Sequence, residues 1–199
     1  MQARGSKAFR IETQRLVLRC WDPADAGLMK DAIDTSLDHL RPWMPWAESE
    51  PSTIEQKRAL LARFAEDFAR GDDAVYGIFE PDERRVVGST GLHPRLDGNA
   101  REIGYWIRAD ATGRGLAGES TAALTRVAFE VDGVEWMEIH CDPANVRSAA
   151  IPRRLGYQLA DGRDGSGHLV FRMLRGAYPR SPAANATAVA YDEAGARVL

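Results

Sequence analysis

Apolar residues alternate or recur at helical spacing along the first part of the chain, and this pattern predicts strands and helices. The stretch Phe9–Cys20 alternates as a first strand would, and Asp22–Ile33 follows as a helix. A second helix is predicted to begin at Ser52, because Ser52 and Glu55 have the spacing of a capping box. Gly71 is expected to end that helix.

Three strand-like runs follow, and short turn-forming segments separate them. They are Ala74–Phe79, Val86–Leu92 and Glu102–Ile107. Such short connections indicate antiparallel neighbours. A glycine-rich loop, two more helices and three more strands complete the pattern. These are the helices Leu116–Phe129 and Val146–Leu155 and the strands Trp136–Cys141, Tyr157–Leu159 and His168–Leu174. An antiparallel meander followed by β-loop-α-β-α predicts an α+β or α/β domain with a mixed sheet.

Length and composition limit the class of protein. A chain of 199 residues suits one domain, which we assign to residues 1–176. Residues 177–199 are expected to form an extension, either flexible or docked on a neighbour. The apolar runs are too short for a membrane span and the N-terminus lacks an export signal, so we expect a cytoplasmic protein that does not bind a membrane. A net charge of −3 argues against a nucleic-acid partner. Cys20 and Cys141 show neither a disulfide framework nor zinc spacing, so no metal is expected.

The clearest candidate site is the loop Thr112–Glu119, between a strand and a helix. Glycines there let the chain turn sharply and expose successive N–H groups, and the start of a helix adds a positive dipole end. This arrangement suits a phosphate group, although a plain glycine turn that caps the helix would have the same sequence.

Two nucleotide-binding motifs also match the loop in part. Gly113, Gly118 and Ser120 fit the spacing of a P-loop, but Glu119 replaces the lysine that this motif requires. Gly113, Gly115 and Gly118 fit a dinucleotide fingerprint, which would have to lie within a repeated βαβ pattern. About a hundred residues of largely antiparallel character precede the loop instead.

A third interpretation accounts for more of the chain. The span Ile103–Leu124 resembles motif A of the GNAT acyltransferase superfamily, in which Gly115 and Ala117 match and Thr112 replaces the usual Gln or Arg. About thirty residues later, Asn145–Ser148 and then Leu155–Tyr157 resemble motif B of the same superfamily.

One departure within motif B points to a particular branch. Many members have a tyrosine seven residues after the motif B asparagine, where this chain has Pro152. The combination of Ser148 with Pro152 is similar to the RimJ/RimL-like N-acetyltransferases. The runs Glu12–Arg19 and Leu40–Met44 also resemble that branch.

The resemblance implies a fold and a reaction. It implies a mixed, mostly antiparallel sheet of about seven strands between helical layers (α+β, or three-layer α/β), which splays between strands four and five. It implies direct transfer of acetyl from acetyl-CoA to an amine, with no metal. The residues that it implies for acetyl-CoA binding are Ile107, Gly113, Arg114, Gly115, Leu116, Ala117, Gly118, Asn145, Ser148 and Arg154.

The resemblance also suggests catalytic roles. Ser148 would meet the departing thiolate, and the N–H near Ile107 would meet the thioester oxygen. Glu102 is our first choice for the group that deprotonates the amine; His140 is the second and His93 is a rival. For the acceptor we predict Trp43, Trp46 and His93 as contacts.

Several acceptors and functions stay open at this point. A protein N-terminus or another peptide-like amine is favoured, and a small amine such as an antibiotic or polyamine is the alternative. A non-catalytic acyl-CoA sensor and a dinucleotide-dependent oxidoreductase are the other classes. We also leave open whether the chain forms a homodimer.

Overall fold

The structure, a computed structural model, describes residues 6–199. These residues form a nine-stranded sheet with the order β7-β8-β6-β5-β4-β3-β2-β1-β9. The strands are β1 (Arg10–Glu12), β2 (Val17–Cys20), β3 (Ala74–Phe79), β4 (Val86–His93), β5 (Ala100–Ile107), β6 (Trp136–Cys141), β7 (Gln158–Arg163), β8 (Leu169–Leu174) and β9 (Val189–Tyr191). The α-helices are α1 (Ala26–Asp34), α2 (Leu37–Leu40), α3 (Ile54–Arg70), α4 (Leu116–Val127) and α5 (Val146–Leu155).

The mixed, mostly antiparallel sheet is confirmed. Strands β1 to β5 form an antiparallel meander, β5 and β6 are parallel, and β6 to β8 are again antiparallel. The number of strands is larger than predicted for two reasons: the predicted first strand is divided, and the C-terminal segment adds a strand.

The prediction of one strand over Phe9–Cys20 was wrong. The Thr13 hydroxyl accepts the N–H of Leu16 at 3.1 Å and the Thr13 N–H donates to the Leu16 carbonyl at 2.9 Å. These bonds turn the chain, so β1 and β2 pair as a hairpin in which Ile11 faces Leu18. Ile11, Leu16 and Leu18 all remain in the core, which explains why the apolar pattern looked continuous.

Helices cover both faces of the sheet. Alternate residues of β3 show the division, since Val75 and Phe79 pack in the core under α1 and α3 while Tyr76 and Ile78 belong to the core that contains α4. We call these two sides the α3 face and the α4 face. In the part of the chain that the structure describes, none of the helices is both long and apolar enough to cross a membrane.

The start of α3 lies one residue later than predicted. Thr53, not Ser52, is the N-cap, because its hydroxyl accepts the N–H of Gln56 and the Gln56 side chain accepts the N–H of Thr53. This reciprocal pair is the capping box that was placed at Ser52 and Glu55. The predicted end is confirmed: Gly71 caps the helix with φ of 74°.

The segment after residue 176 packs on the domain itself. Strand β9 pairs with β1, Ala183 and Ala190 are fully buried, and the Tyr178 ring stacks on Phe129 with 4.7 Å between centroids. The division into a domain of residues 1–176 and an extension of residues 177–199 stays a prediction.

Candidate functional site

The sheet opens between β5 and β6. The two strands pair in parallel from Ala100–Trp136 to Glu102–Glu138, and their pairing ends there. Beyond that point β5 continues along β4 as far as Ile107, while β6 continues along β8. This is the split that was predicted between the fourth and fifth strands. We call it the β5–β6 split.

Main-chain donors of β5 face the split. The N–H of Arg108 donates to the Val87 carbonyl on β4 at 2.9 Å. Because main-chain groups alternate in direction along an antiparallel strand, the N–H groups of Ile103, Tyr105 and Ile107 point to the opposite side. The parallel pairing of Glu102 with Glu138 uses the N–H of Ile103, so those of Tyr105 and Ile107 face the part where β6 has separated. The predicted donor near Ile107 is therefore directed into the split.

The glycine-rich loop follows the free end of β5 and opens α4. Gly113 and Gly115 have φ of 77° and 78°, a conformation that glycine adopts without strain. The first N–H that bonds within the helix is that of Glu119, to the Gly115 carbonyl at 3.1 Å. The preceding N–H groups of α4 have no partner within the helix, as at any helix start. Across residues 6–199 we find no other main-chain acceptor for the N–H groups of residues 113–118, which leaves them available to an anion.

Glu119, the residue that argued against a P-loop, has a structural role here. Its carboxylate accepts a hydrogen bond from the Thr13 hydroxyl at 2.6 Å and pairs with the Arg15 guanidinium at 2.6 Å. Arg15 also donates to the Arg114 carbonyl at 2.9 Å. The β1–β2 turn is thus fastened to the start of α4, and Arg15 places a half-exposed positive charge beside the loop. The sequence pattern did not indicate Arg15, because 104 residues separate it from Glu119.

Ser148 lies at the split on the α4 face. Asn145 caps α5 through its side-chain oxygen, which accepts the Ser148 N–H at 3.1 Å. The Ser148 hydroxyl lies 3.1 Å from the hydroxyl of Tyr105, a β5 residue beyond the paired section. Burial raises the pKa of Tyr105, so its hydroxyl stays protonated. Tyr105 was not predicted as a site residue, although it spans the split and fixes Ser148.

The other predicted cofactor residues differ in their surroundings. Leu116 is buried, and Ala117 and Gly118 are half-buried, in the first turn of α4. Arg114 is about half exposed and lies 3.7 Å from Glu80, a loose ion pair. Arg154 is exposed in the last turn of α5.

On the α3 face, Trp46 contacts β5 next to the split. Its ring lies 5.9 Å from that of Trp106 on β5. The loop that carries Trp46 is fastened by an ion pair between the buried Lys57 and the largely buried side chain of Glu50. Trp43 lies in the preceding turn, half-buried, with its N–H on the Leu40 carbonyl. The structure thus brings Trp46 to the split, and it records no ring contact between Trp43 and this strand within residues 6–199.

The three candidates for the base have different partners. Glu102 is 16% exposed and pairs with Arg95 at 3.1 Å. His140 is held on both ring nitrogens, with Nε2 at 2.6 Å from Glu138 and Nδ1 at 3.0 Å from Asp164. Burial opposes its charged form, but the hydrogen bonds to these two carboxylates prevail and raise the pKa of His140. Both ring nitrogens of His140 are thus in contact with carboxylates.

His93 is the remaining candidate, and it lies directly opposite Glu102 in the β4–β5 register. Its Nδ1 lies 2.8 Å from a carboxylate oxygen of Asp73. Trp106 packs in the core under α1 and α3, and alternation along β5 puts Glu102 and Gly104 on the same face. His93, Glu102 and Trp46 are thus gathered on the α3 face of the split strand.

Known proteins resemble the chain in sequence and in fold. The [Ribosomal protein uS5]-alanine N-acetyltransferase of Escherichia coli (strain K12) is 27% identical over 151 residues, which cover 75% of this chain and 78% of that protein. RimJ of Mycobacterium smegmatis, solved with CoA-disulfide, superposes with a TM-score of 0.71 at 21% identity, over 85% of this chain and 86% of that one. RimL, the ribosomal L7/L12 alpha-N-protein acetyltransferase, was solved with coenzyme A. It superposes with a TM-score of 0.71 at 20% identity, over 81% of this chain and 95% of that one.

The family itself is shown by a match over most of the chain. Residues 15–158 match the model of the acetyltransferase (GNAT) domain. This range contains the β5–β6 split, the glycine-rich loop and Ser148. The chain belongs to the GNAT acetyltransferase family.

Proposed function

We propose that the protein transfers the acetyl group of acetyl-CoA to the amine of a protein N-terminus or a similar peptide-like acceptor. The observation that carries the proposal is the set of main-chain N–H groups of residues 113–118 beside the β5–β6 split. Such donors at a helix start suit a diphosphate, and the N–H groups of β5 that face the split suit an extended chain of amides.

The residues around the split fit acetyl-CoA in chemical type. Gly113, Arg114, Gly115, Leu116, Ala117 and Gly118 would hold the diphosphate, chiefly through their main chain. Arg15 and the exposed Arg154 add positive charge for phosphate groups. Asn145 would support the site by fixing the first turn of α5. Acetyl-CoA, when bound, supplies an activated acetyl thioester.

Two groups of the chain would act on the thioester. The N–H of Ile107, directed into the split, would donate to the oxygen on which negative charge develops. The Ser148 hydroxyl, fixed by Tyr105 at 3.1 Å, would donate to the sulfur as it leaves. Glu102 and His140 stay candidates for proton transfer from the amine on the α3 face.

The acceptor class is inferred from the shape and charge of the α3 face. Helices α1 and α3 cover β2 to β4, whereas side chains on this face of β8, such as Arg172 and Leu174, are about half exposed. An open face beside Trp46, Trp106 and Glu102 would accommodate a peptide with a cationic end. The Escherichia coli relative, named for an alanine of ribosomal protein uS5, supports the same class. The reaction would take place in the cytoplasm, where the buried Cys20 and Cys141 stay reduced.

Thiol release tests this function. The purified protein would be incubated with acetyl-CoA and either short peptides with free N-termini or small amines such as spermidine. The matched control is each peptide with its N-terminus already acetylated. We expect kcat/KM for the best free peptide to exceed that for the small amines by about tenfold or more. Better turnover of the small amines would reverse the acceptor class, and acetyl-CoA binding without turnover of any amine would point to a sensor.

A further inference from the structure

The imidazole of His93 lies on a floor made by two glycines. Gly91 and Gly104 are directly opposite each other on β4 and β5. A Cβ atom at Gly91 would stand 2.6 Å from the His93 Cε1, and one at Gly104 would stand 3.3 Å from its Nε2. The ring can take this position because both residues lack a side chain. His93 is only 12% exposed, so this position is well defined by packing.

Asp73 sets the chemical form of the ring. Its carboxylate oxygens lie 2.8 and 3.0 Å from the His93 Nδ1. An ionised carboxylate can only accept, so Nδ1 carries the proton that is shared with Asp73. In the neutral ring, Nε2 then has the free lone pair. This is the arrangement of a histidine that is held by a carboxylate to receive a proton.

Nε2 lies over β4 and β5, beside the unpaired section of β5: a Cβ atom at Gly91 would stand 2.7 Å from it and one at Gly104 3.3 Å. Gly104 is two residues beyond Glu102, the last β5 residue that pairs with β6. The next residue, Tyr105, turns to the α4 face and contacts Ser148. The imidazole and the Ser148 hydroxyl are therefore on opposite faces of the same unpaired section of β5. An amine that approaches from the α3 face would meet His93, and a thiol that leaves toward the α4 face would meet Ser148.

The neighbouring titratable groups are engaged elsewhere. Glu102, opposite His93 on β5, pairs with Arg95, and both ring nitrogens of His140 contact carboxylates. Asp73 is the charged group that contacts the His93 ring. Glu102, with its partner Arg95, lies opposite His93 in the β4–β5 register, and Arg101 interacts electrostatically with Asp73.

We propose that His93, oriented by Asp73, is the base that takes a proton from the acceptor amine. This role rests on the acetyltransferase function proposed above. Nε2 accepts one proton from the ammonium group, and the freed lone pair forms the C–N bond to the acetyl carbon. The C–S bond breaks with its electrons on sulfur, and the second proton that the nitrogen loses balances the thiolate. His93 is thus a catalytic residue and Asp73 a positioning residue.

The test compares His93→Gln with His168→Gln, which also removes one imidazole but at an exposed position of the β7–β8 connection. For His93→Gln we expect kcat/KM for the peptide to fall by about 100-fold or more, with acetyl-CoA affinity unchanged by calorimetry. The acid limb of the pH–kcat/KM profile should be lost. His168→Gln should keep both the rate and the limb. If His93→Gln keeps both the wild-type kcat/KM and the acid limb of the pH profile, His93 is not the base.

Substitutions at Asp73 and Glu102 test two alternatives. One is that His93 and Asp73 have only a structural role, and the other is that Glu102 is the base. Asp73→Asn should lower kcat by about tenfold or more with the acceptor KM unchanged, because the imidazole loses the carboxylate that orients it. Asp73→Glu should recover part of the rate, whereas a purely structural role would change stability and leave kcat in place. Glu102→Gln should keep the limb and lose less than about tenfold in rate. If the acid limb of the pH–kcat/KM profile disappears in Glu102→Gln and persists in His93→Gln, the proton transfer belongs to Glu102.

The experiment also distinguishes this role from the proposed function. A wild-type protein that turns over no amine would contradict both. An active wild-type protein with an unaffected His93→Gln variant would contradict the role of His93 alone.

Discussion

The two faces of the β5–β6 split are built in different ways. On the α4 face, the candidate acetyl-CoA site consists mainly of main-chain donors and of two helix starts, which short motifs encode locally. On the α3 face, the candidate acceptor site consists of side chains from β4, β5 and the loop around Trp46, which come together only in the fold. Since main-chain donors supply most of the contacts at the first kind of site, substitution of its side chains, Ser148 excepted, should change acetyl-CoA binding little. The second depends on ion pairs and hydrogen bonds between distant residues, so single substitutions should affect it more.

The largest effect on stability is expected at the ion pair that fastens the loop around Trp46, which we call the acceptor loop. Lys57 is 1% exposed and pairs with Glu50, which also accepts the Ser52 N–H at 2.7 Å. Lys57→Met would leave the buried carboxylate without its partner and lower the free energy of unfolding by about 3–5 kcal/mol. Denaturant titration would measure this loss.

The same variant should raise the acceptor KM and leave acetyl-CoA affinity unchanged, because the loop belongs to the α3 face alone. Adding Glu50→Gln should recover most of the stability. The matched control is Arg70→Met at the other end of α3, which breaks only exposed pairs with Asp67 and Asp72 and should cost much less stability. Equal losses in Lys57→Met and Arg70→Met would show that the buried pair has no special part in holding the loop.

At the split itself, Ser148→Ala should lower kcat by about 100-fold, because the leaving sulfur would lose its donor. Acceptor KM and stability should change little, as α5 keeps its cap at Asn145. Tyr105→Phe, which removes only the hydroxyl that fixes Ser148, should cost less than about tenfold. Steady-state kinetics would measure both variants. An unchanged kcat in Ser148→Ala would exclude the serine from the reaction.

On the α4 face, Gly115→Ala should weaken acetyl-CoA binding by about tenfold, since a side chain at φ of 78° costs about 1–2 kcal/mol and would disturb the N–H groups. Gly162→Ala imposes the same kind of strain at φ of 89° in β7, away from the loop, and should leave the affinity unchanged. Calorimetry would compare the two variants. Equal affinities would contradict the role of the loop.

The smallest effect concerns the pH dependence of stability at His140 and Asp164. The hydrogen bonds of His140 outweigh burial and raise its pKa, so its stabilisation is complete below about pH 6.5 and is lost as the pH rises through the raised value. The pKa of Asp164 is lowered to about 2, because hydrogen bonds from His168, His140 and Ser166 outweigh burial. Its stabilisation is present above about pH 3.8 and is lost toward pH 2. In urea titrations, the free energy of unfolding of the wild-type protein should fall by up to about 1 kcal/mol above about pH 6.5, and His140→Gln should not show this fall. The same dependence of stability on pH in both proteins would contradict this.

The contrast between the faces also explains what the sequence could predict. The meander and the glycine loop depend on contacts between near neighbours or on local motifs, and these were predicted. The split was predicted from the family resemblance. The β1–β2 hairpin was missed because its turn depends on the Thr13 side chain and leaves the apolar alternation unbroken. The pairs Arg15–Glu119 and Tyr105–Ser148 join residues 104 and 43 positions apart. No local spacing could indicate such pairs.

The same limit applied to the candidate bases. Glu102, His93 and His140 are all polar residues on predicted strands, and the sequence could not show which of them have partners. Only the fold shows that Arg95 pairs with Glu102, that two carboxylates enclose His140, and that two glycines leave room for the His93 ring.

The central claim is that main-chain donors of residues 113–118 hold the diphosphate of acetyl-CoA beside the split, and amide chemical shifts test it most directly. In ¹H–¹⁵N spectra, acetyl-CoA should move the amide signals of residues 113–118 and of Tyr105 and Ile107. S-acetylpantetheine, which lacks the diphosphate, should move the β5 signals alone. Signals of residues 113–118 that stay in place at saturating acetyl-CoA would contradict the claim.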